Sequence, residues 1–271
     1  MKKQPIGVFD SGVGGLTILK ALRRELPHEN LIYFGDTANV PYGGKSKTAV
    51  TRLSLAVAHF LETSGVKLVV VACNTASAQA LPTLRKHLHV PVVGVIGPGA
   101  QRAVSVTQNR RIAVLGTQGT VESKAYVKEI HKRLPAATVF QQACPLFVPL
   151  AEEGFAHKPA AELVAREYLA SVRRSKADTV ILGCTHYPIL KKLIARVLGP
   201  HVQLVDSADT LARAVHQFLQ TKKLAATSGR GTVKLYASDA PDKFTKSAQK
   251  LLGEKTPRAV LKKLNDENLH G

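Results

Sequence analysis

Tryptophan is absent from this chain, methionine occurs once and cysteine only three times. So small and odd a cysteine number argues against a disulfide framework, and reduced thiols are expected. Aromatic residues make up 5% of the sequence, and neither an aromatic-rich RNA-binding signature nor a zinc-finger spacing accompanies the basic residues. There is no CxxC and no HxxxH; the closest pairs, His87 with His89 and Cys184 with His186, have no third ligand at a suitable spacing, so no metal centre is expected. No apolar run approaches the roughly 20 residues that span a bilayer. The opening MKKQPIGVFDSG lacks the apolar core and cleavage site of a signal peptide. A cytoplasmic protein with no membrane partner is expected.

Acidic residues are also scarce. Nineteen Asp and Glu stand against 38 Lys and Arg, a net charge of +19 with a pI near 10.0. Such an excess suits nucleic acid, an acidic membrane surface, an anionic small substrate, or solubility alone. The basic residues are scattered along helical stretches (Lys20, Arg23, Arg24; Lys128, Lys132, Arg133; Lys191, Lys192, Arg196), which favours solvated faces over a polyanion-binding patch. With 271 residues and 45% hydrophobic content, the chain can form two domains or one large one with a substantial core.

Two stretches dominate what is present. KLVVVACNTAS, from Lys67 to Ser77, and ADTVILGCTHYP, from Ala177 to Pro188, are apolar runs ending abruptly in Cys followed by a polar residue. Runs of this kind read as buried strands of a parallel sheet. In open α/β sheets ligands bind outside the carboxyl ends of the strands, which places Cys73 and Cys184 for chemistry. If a helix starts directly after each, its positive end lowers the thiol pKa. The competing reading of a strand-end cysteine is a small buried hydrophobe; two in matched positions weigh against it. Cys144, in QQACPLF, lacks the setting and reads as structural. His186, two residues beyond Cys184, either assists that thiol or packs beside the next helix.

The rest of the chain alternates strands and helices. PIGVFD leads through the glycine turn SGVGG into a helix that Pro27 closes; Asp10 stands at the strand's carboxyl end, and the turn either approaches an anion or merely connects. It is neither GxGxxG nor a P-loop, so nucleotide binding has little support. LIYFGD is followed by TANVPYGGK, which offers the Tyr42 phenol and free amides to a substrate. A helix over 47–64, a helix over 76–88 and a strand in VPVVGVI follow. At Arg111 the plan restarts: RIAVLGTQGTVESKAYVKEI repeats PIGVFDSGVGGLTILKAL. The spacing is 106 residues from Ile6 to Ile112 and 111 from Cys73 to Cys184, so two features agree on one internal repeat of two α/β halves. Glu152 and Glu153 are placed in a loop before Gly154, and the strand VKLYASD, a helix and a polar tail are assigned back to the first half.

The motifs DSGVGG (Asp10–Gly15), GDTANVPYG (Gly35–Gly43), ACNTAS (Ala72–Ser77), GTQGTV (Gly116–Val121), CPLFVPLAEEG (Cys144–Gly154) and GCTHYP (Gly183–Pro188) occur in one order over essentially the whole chain. In these the chain resembles the glutamate racemases of the cofactor-independent aspartate/glutamate racemase superfamily. The resemblance implies two similar parallel-sheet α/β domains facing each other across a cleft, residues 1–97 plus 208–271 and residues 98–207. It implies interconversion of L- and D-glutamate for peptidoglycan, with no cofactor and no metal. Cys73 is the implied base toward D-glutamate, with Asp10 as partner, and Cys184 the base toward L-glutamate, assisted by His186 and Glu152. Asp10, Ser11, Tyr42, Gly43, Asn74, Thr75, Thr185 and His186 are the implied substrate contacts. A homodimer is implied, and because some family members restrain DNA gyrase, a nucleic-acid-linked second role is the alternative, beside a racemase of another amino acid such as aspartate. The chemistry itself favours paired bases: racemisation removes a proton from one face of a carbon and returns one to the other.

Overall fold

The computed structural model describes residues 2–253 and 255–264; the polar tail continues outside them. Two parallel sheets organise the chain. The first holds β1 (Ile6–Asp10), β2 (Leu31–Gly35), β3 (Leu68–Val71) and β4 (Val92–Gly94). The second holds β5 (Arg111–Gly116), β6 (Thr138–Ala143), β7 (Thr179–Gly183) and β8 (Gln203–Asp206). The order is β2-β1-β3-β4 in one and β6-β5-β7-β8 in the other. The two halves therefore have the same topology, and the repeat read from spacing is a repeat of structure. β9 (Val233–Ala237) and β10 (Val260–Leu261) extend the first sheet beyond β2, with Leu31 opposite Val233 and Gly35 opposite Ala237.

Helices cover both faces of each sheet, as parallel strands buried on two sides require. α1 (Leu16–Glu25) buries Leu16, Ile18, Leu19 and Leu22. α2 (Lys47–Thr63) begins where the Ser46 hydroxyl accepts from the Ala49 amide and ends before Gly65. The helix expected over 76–88 is two: α3 (Asn74–Gln79) and α4 (Leu81–His87), broken at Ala80 because Pro82 has no N–H to continue the first. VPVVGVI is strand only over β4. From Ile96 it becomes α5 (Ile96–Val106), with Pro98 in the first turn, where a missing N–H costs nothing.

The second half carries α6 (Gln118–Glu122) and α7 (Ala125–Arg133), then α8 (Phe147–Glu152) and α9 (Pro159–Arg174). Glu152 is thus the last residue of a short helix and not a loop residue. α10 (Lys191–Leu198) and α11 (Ser207–Thr221) follow, the latter packing on α1 and α5, and α12 (Pro241–Leu252) lies over the first sheet's extension.

At the amino ends of the first sheet's strands, Lys67 and Glu29 form an ion pair at 2.6 Å with side chains 1% and 2% exposed. The Lys67 ammonium also donates to the carbonyls of Lys2 and Leu224, and Glu29 accepts from the Ala226 amide. Four segments of the chain meet there, including the one that returns from α11 to β9. Buried charges are tolerated only when so fully partnered.

Candidate active site

Each sheet reverses its strand order between its first and third strands, and the carboxyl ends at that point form the crevice where such folds take ligands. Asp10 ends β1 and Cys73 follows β3; Thr117 follows β5 and Cys184 follows β7. Both thiols are nearly buried, 5% and 7% exposed, and close enough that the charge of Cys184 acts on Cys73. The four elements deliver one cluster built from both halves.

On the first half, Cys73 caps α3, its sulfur accepting from the Ala76 amide at 3.5 Å and donating to the Ser11 hydroxyl at 3.9 Å. Asp10 is fully buried; its carboxylate accepts from the Gly12 amide at 3.0 Å. Burial pushes the Asp10 carboxyl up, against the opposing charge of His186 and the hydrogen bonds of Gly12, Gly15 and Thr185. The Cys73 thiol is pushed up to about 12, first by burial and then by Asp10, more than the Ala76 amide and Ser11 hydroxyl offset. The low-pKa thiol expected from a helix start is therefore not found at Cys73, where desolvation outweighs the helix end.

On the second half, Cys184 is followed by a turn and a 3₁₀ turn over Tyr187–Leu190 before α10, so no α-helix starts at that thiol. Its partner is a side chain: the Cys184 sulfur lies 3.7 Å from His186 Nδ1. His186 Nε2 lies 2.9 Å from Glu152 Oε1, an ion pair whose angle falls short of an aligned hydrogen bond. Burial alone would lower the imidazole, but Cys184, Glu152 and Asp10 outweigh it and raise it to about 10. Glu152 is held below the usual carboxylate range, chiefly by His186.

The halves interlock at the site. The Thr185 hydroxyl donates to Asp10 Oδ1 at 3.3 Å. Thr75 meets the hydroxyls of Thr117 at 2.8 Å and Thr120 at 3.3 Å. The Tyr126 phenol donates to Asn74 Oδ1 at 2.7 Å, while Asn74 Nδ2 is buried without a partner among the described residues. Two glycines permit this approach. A Cβ on Gly14 would lie 2.4 Å from Thr185 Oγ1 and 2.8 Å from His186 Cε1, and one on Gly43 would lie 2.6 Å from Thr117 Cγ2. Gly14→Ala is expected to displace Thr185 and His186 and, since a misplacement of about 1 Å can cost about 10²-fold, to lower turnover by one to two orders of magnitude. Steady-state kinetics beside an unchanged far-ultraviolet spectrum checks this.

The structure thus brings together Asp10, Ser11, Cys73, Asn74, Thr75, Glu152, Thr185 and His186. Tyr42 stands apart from its expectation. Its phenol donates to Asp36 at 2.6 Å and is buried, so that group is committed within the protein and only the backbone of Tyr42 and Gly43 remains to face a ligand. Asp36 also accepts from Ser238 and Asn39; together with Thr117, Thr120 and Tyr126 it was not singled out in the sequence. Thr117 was findable, because in the repeat it occupies the position of Ser11. Cys144 is fully buried in the second half's core, its carbonyl held by the Tyr187 phenol at 2.9 Å. Among the described residues no three His, Cys, Asp or Glu side chains converge as metal ligands, and no helix is long and apolar enough to cross a membrane.

Fold and site together define a two-domain α/β protein in which each domain brings one thiol, Cys73 or Cys184, to the shared cluster, with acid/base partners beside each. Comparison with known proteins agrees. The Asp/Glu/Hydantoin racemase family profile matches residues 15–215. A glutamate racemase of Geobacter metallireducens is 52% identical over 256 residues, covering 94% of this chain and 95% of that one. The crystal structure of glutamate racemase from Thermus thermophilus in complex with β-chloro-D-alanine superposes with a TM-score of 0.88 at 47% identity, covering 98% of this chain and 99% of that one. The crystal structure of the Francisella tularensis glutamate racemase in complex with D-glutamate does so at 0.91 and 37%, covering 99% and 100%. This chain belongs to the Asp/Glu/Hydantoin racemase family.

Proposed function

We propose that the chain interconverts L- and D-glutamate by passing the α-proton between two thiols, without a cofactor, and so supplies D-glutamate for peptidoglycan. The observation that carries this is the equivalence of Cys73 and Cys184: each follows the third strand of a sheet of the same order, and each has its own acid/base neighbours. Cys73 takes the proton of D-glutamate and Cys184 that of L-glutamate, each thiol returning one to the opposite face. Asp10 serves the first; His186, paired with Glu152, serves the second. The substrate's ammonium supplies positive charge where burial and Asp10 hold the Cys73 thiol up to about 12, and so eases its ionisation once substrate is bound. The Asn74 amide and the hydroxyls of Ser11, Thr75 and Thr185, with the amides of Tyr42 and Gly43, hold the carboxylates and stabilise the charge that develops on deprotonation.

Glutamate rather than aspartate is favoured by the 52% identity to a glutamate racemase over nearly all of both chains. One methylene in a pocket is worth about 10–200-fold in kcat/KM. Circular dichroism of the purified protein is expected to follow L-glutamate to an optically inactive mixture, with L-aspartate slower by at least that range; faster aspartate turnover would reverse the assignment. The domain division falls at 1–97 plus 208–271 and 98–207, supported by β9 and β10 joining the first sheet. A cytoplasmic homodimer is the proposed form, to be tested by light scattering against the 29.1 kDa chain mass.

A further inference from the structure

One buried side chain connects the segments that carry the two thiols. Tyr126, the second residue of α7 in the second half, is fully buried. Its ring fits where two residues have no side chain: a Cβ on Gly183, the neighbour of Cys184, would lie 3.2 Å from Tyr126 Cε2, and one on Gly99 of α5 would lie 3.2 Å from its hydroxyl. From this slot the phenol crosses to the first half and donates to Asn74 Oδ1 at 2.7 Å, next to Cys73. Ser207, which opens α11, hydrogen-bonds the same phenol; the phenol has one proton and it goes to Asn74, so the Ser207 bond is one that it accepts. Burial pushes the phenol up, which keeps it a donor at neutral pH.

A primary amide has an acceptor end and a donor end that point apart. With Oδ1 held by Tyr126, Asn74 Nδ2 is directed away from the phenol; Asn74 is 2% exposed, and this nitrogen is buried without a partner among the described residues. A buried donor left in that state is costly unless something completes it, and a carboxylate is the acceptor that glutamate offers. The opposite orientation of the amide would turn Oδ1 to the ligand and set an acceptor against a carboxylate. We infer that Tyr126 is a positioning residue for substrate binding: its hydroxyl fixes the Asn74 amide with the N–H groups toward the crevice, so that a carboxylate contact on the first half is set by a side chain of the second. That contact is complete only while the halves are together.

The identity of the carboxylate ligand rests on the racemase reading; the orientation of the amide does not, and two readouts separate them. Tyr126→Phe removes the hydroxyl alone. In NMR of the unliganded protein, the Asn74 side-chain amide, identified by its loss in Asn74→Ala, is expected as one sharp pair of proton signals in the wild type and as shifted or broadened signals in the Phe variant, where both orientations become accessible. KM for both enantiomers of glutamate is expected to rise about tenfold with kcat changed far less, the pattern of a lost ground-state contact. In an Asn74→Ala background, Tyr126→Phe should add less than about twofold to KM, because the group through which it acts is gone. Gln79→Leu, which cuts another bond across the seam, should keep the wild-type KM. Unchanged Asn74 signals in the Phe variant overturn the inference, as does a KM effect that multiplies in full with that of Asn74→Ala; a Gln79 variant with the same rise in KM would assign the effect to a loosened seam and overturn it too. If the wild-type protein turned over no glutamate, the racemase reading would fall while the amide signals still decided the positioning claim.

Discussion

Cys73→Ala and Cys184→Ala are each expected to abolish racemisation in both directions, with kcat/KM falling by about 10³-fold or more, while Cys144→Ala is expected to keep most of the activity. A positioned general acid or base typically contributes about 10²–10⁴-fold, and here neither sulfur has a substitute. Inversion needs a proton taken from one face and given to the other, so a protein with one thiol can begin the reaction from one enantiomer and cannot complete it. Asp10 does not replace Cys73: its carboxylate is tied to the Gly12 amide and the Thr185 hydroxyl. His186 does not replace Cys184, since its ring lies between that sulfur and Glu152. Cys144 is the internal control. Burial pushes its thiol well above the usual value, and its surroundings are the core residues of the second half. Its replacement removes packing worth about 1 kcal/mol and no reacting group. Circular dichroism turnover of each enantiomer, with melting curves alongside, measures all three; a Cys144 variant as inactive as the other two would contradict the two-thiol assignment.

The second large effect concerns stability. Lys67→Met is expected to cost about 3–5 kcal/mol, the usual loss when one partner of a buried ion pair is removed. Glu29 would be left 2% exposed with the Ala226 amide as its remaining hydrogen-bond donor, and the carbonyls of Lys2 and Leu224 would lose theirs. Glu29→Gln leaves the ammonium with those two carbonyls and an amide in place of its counterion, and should fall at the lower end of that range. The double variant Lys67→Met/Glu29→Leu should cost less than the two single losses added, because it leaves no unpaired charge. Urea unfolding monitored by far-ultraviolet circular dichroism reads all three. Single losses below about 1 kcal/mol, the range of surface pairs, would show that water reaches the site. Because Lys67 precedes β3 and Cys73 follows it, the folded fraction of each variant should retain normal kinetic constants.

Much of this molecule was legible in its sequence where the signal is local. Apolar runs such as Leu68–Val71 and Thr179–Gly183 have one physical outcome, a strand buried on both faces, and the cysteine that ends each is carried to the carboxyl edge with it. The spacing of two such units foretold two sheets of one topology. What was misread depended on tertiary context. Pro82 splits a continuous helical pattern into α3 and α4, and the Gly-Pro-Gly of residues 97–99 conceals the start of α5. The thiol environment was also misjudged at Cys73: a helix terminus is visible in sequence, whereas burial beside the fully buried Asp10 carboxyl is not. Tyr42 and Asp36 are six residues apart, and nothing in GDTANVPYG says that the phenol turns back to the carboxylate. Tyr126 lies 52 positions from Asn74 in sequence, and only the meeting of the halves brings the phenol to the amide.

Beside the Thr185 bond to the Asp10 carboxylate, several hydrogen bonds across the seam join neutral groups: threonine against threonine at 75, 117 and 120, a phenol on the Asn74 amide, and the Gln79 side chain on the Gly119 carbonyl. Such bonds are worth only about 1 kcal/mol each because water replaces them readily. None of these bonds pairs formal charges, so what they contribute to holding the halves together should be nearly indifferent to salt.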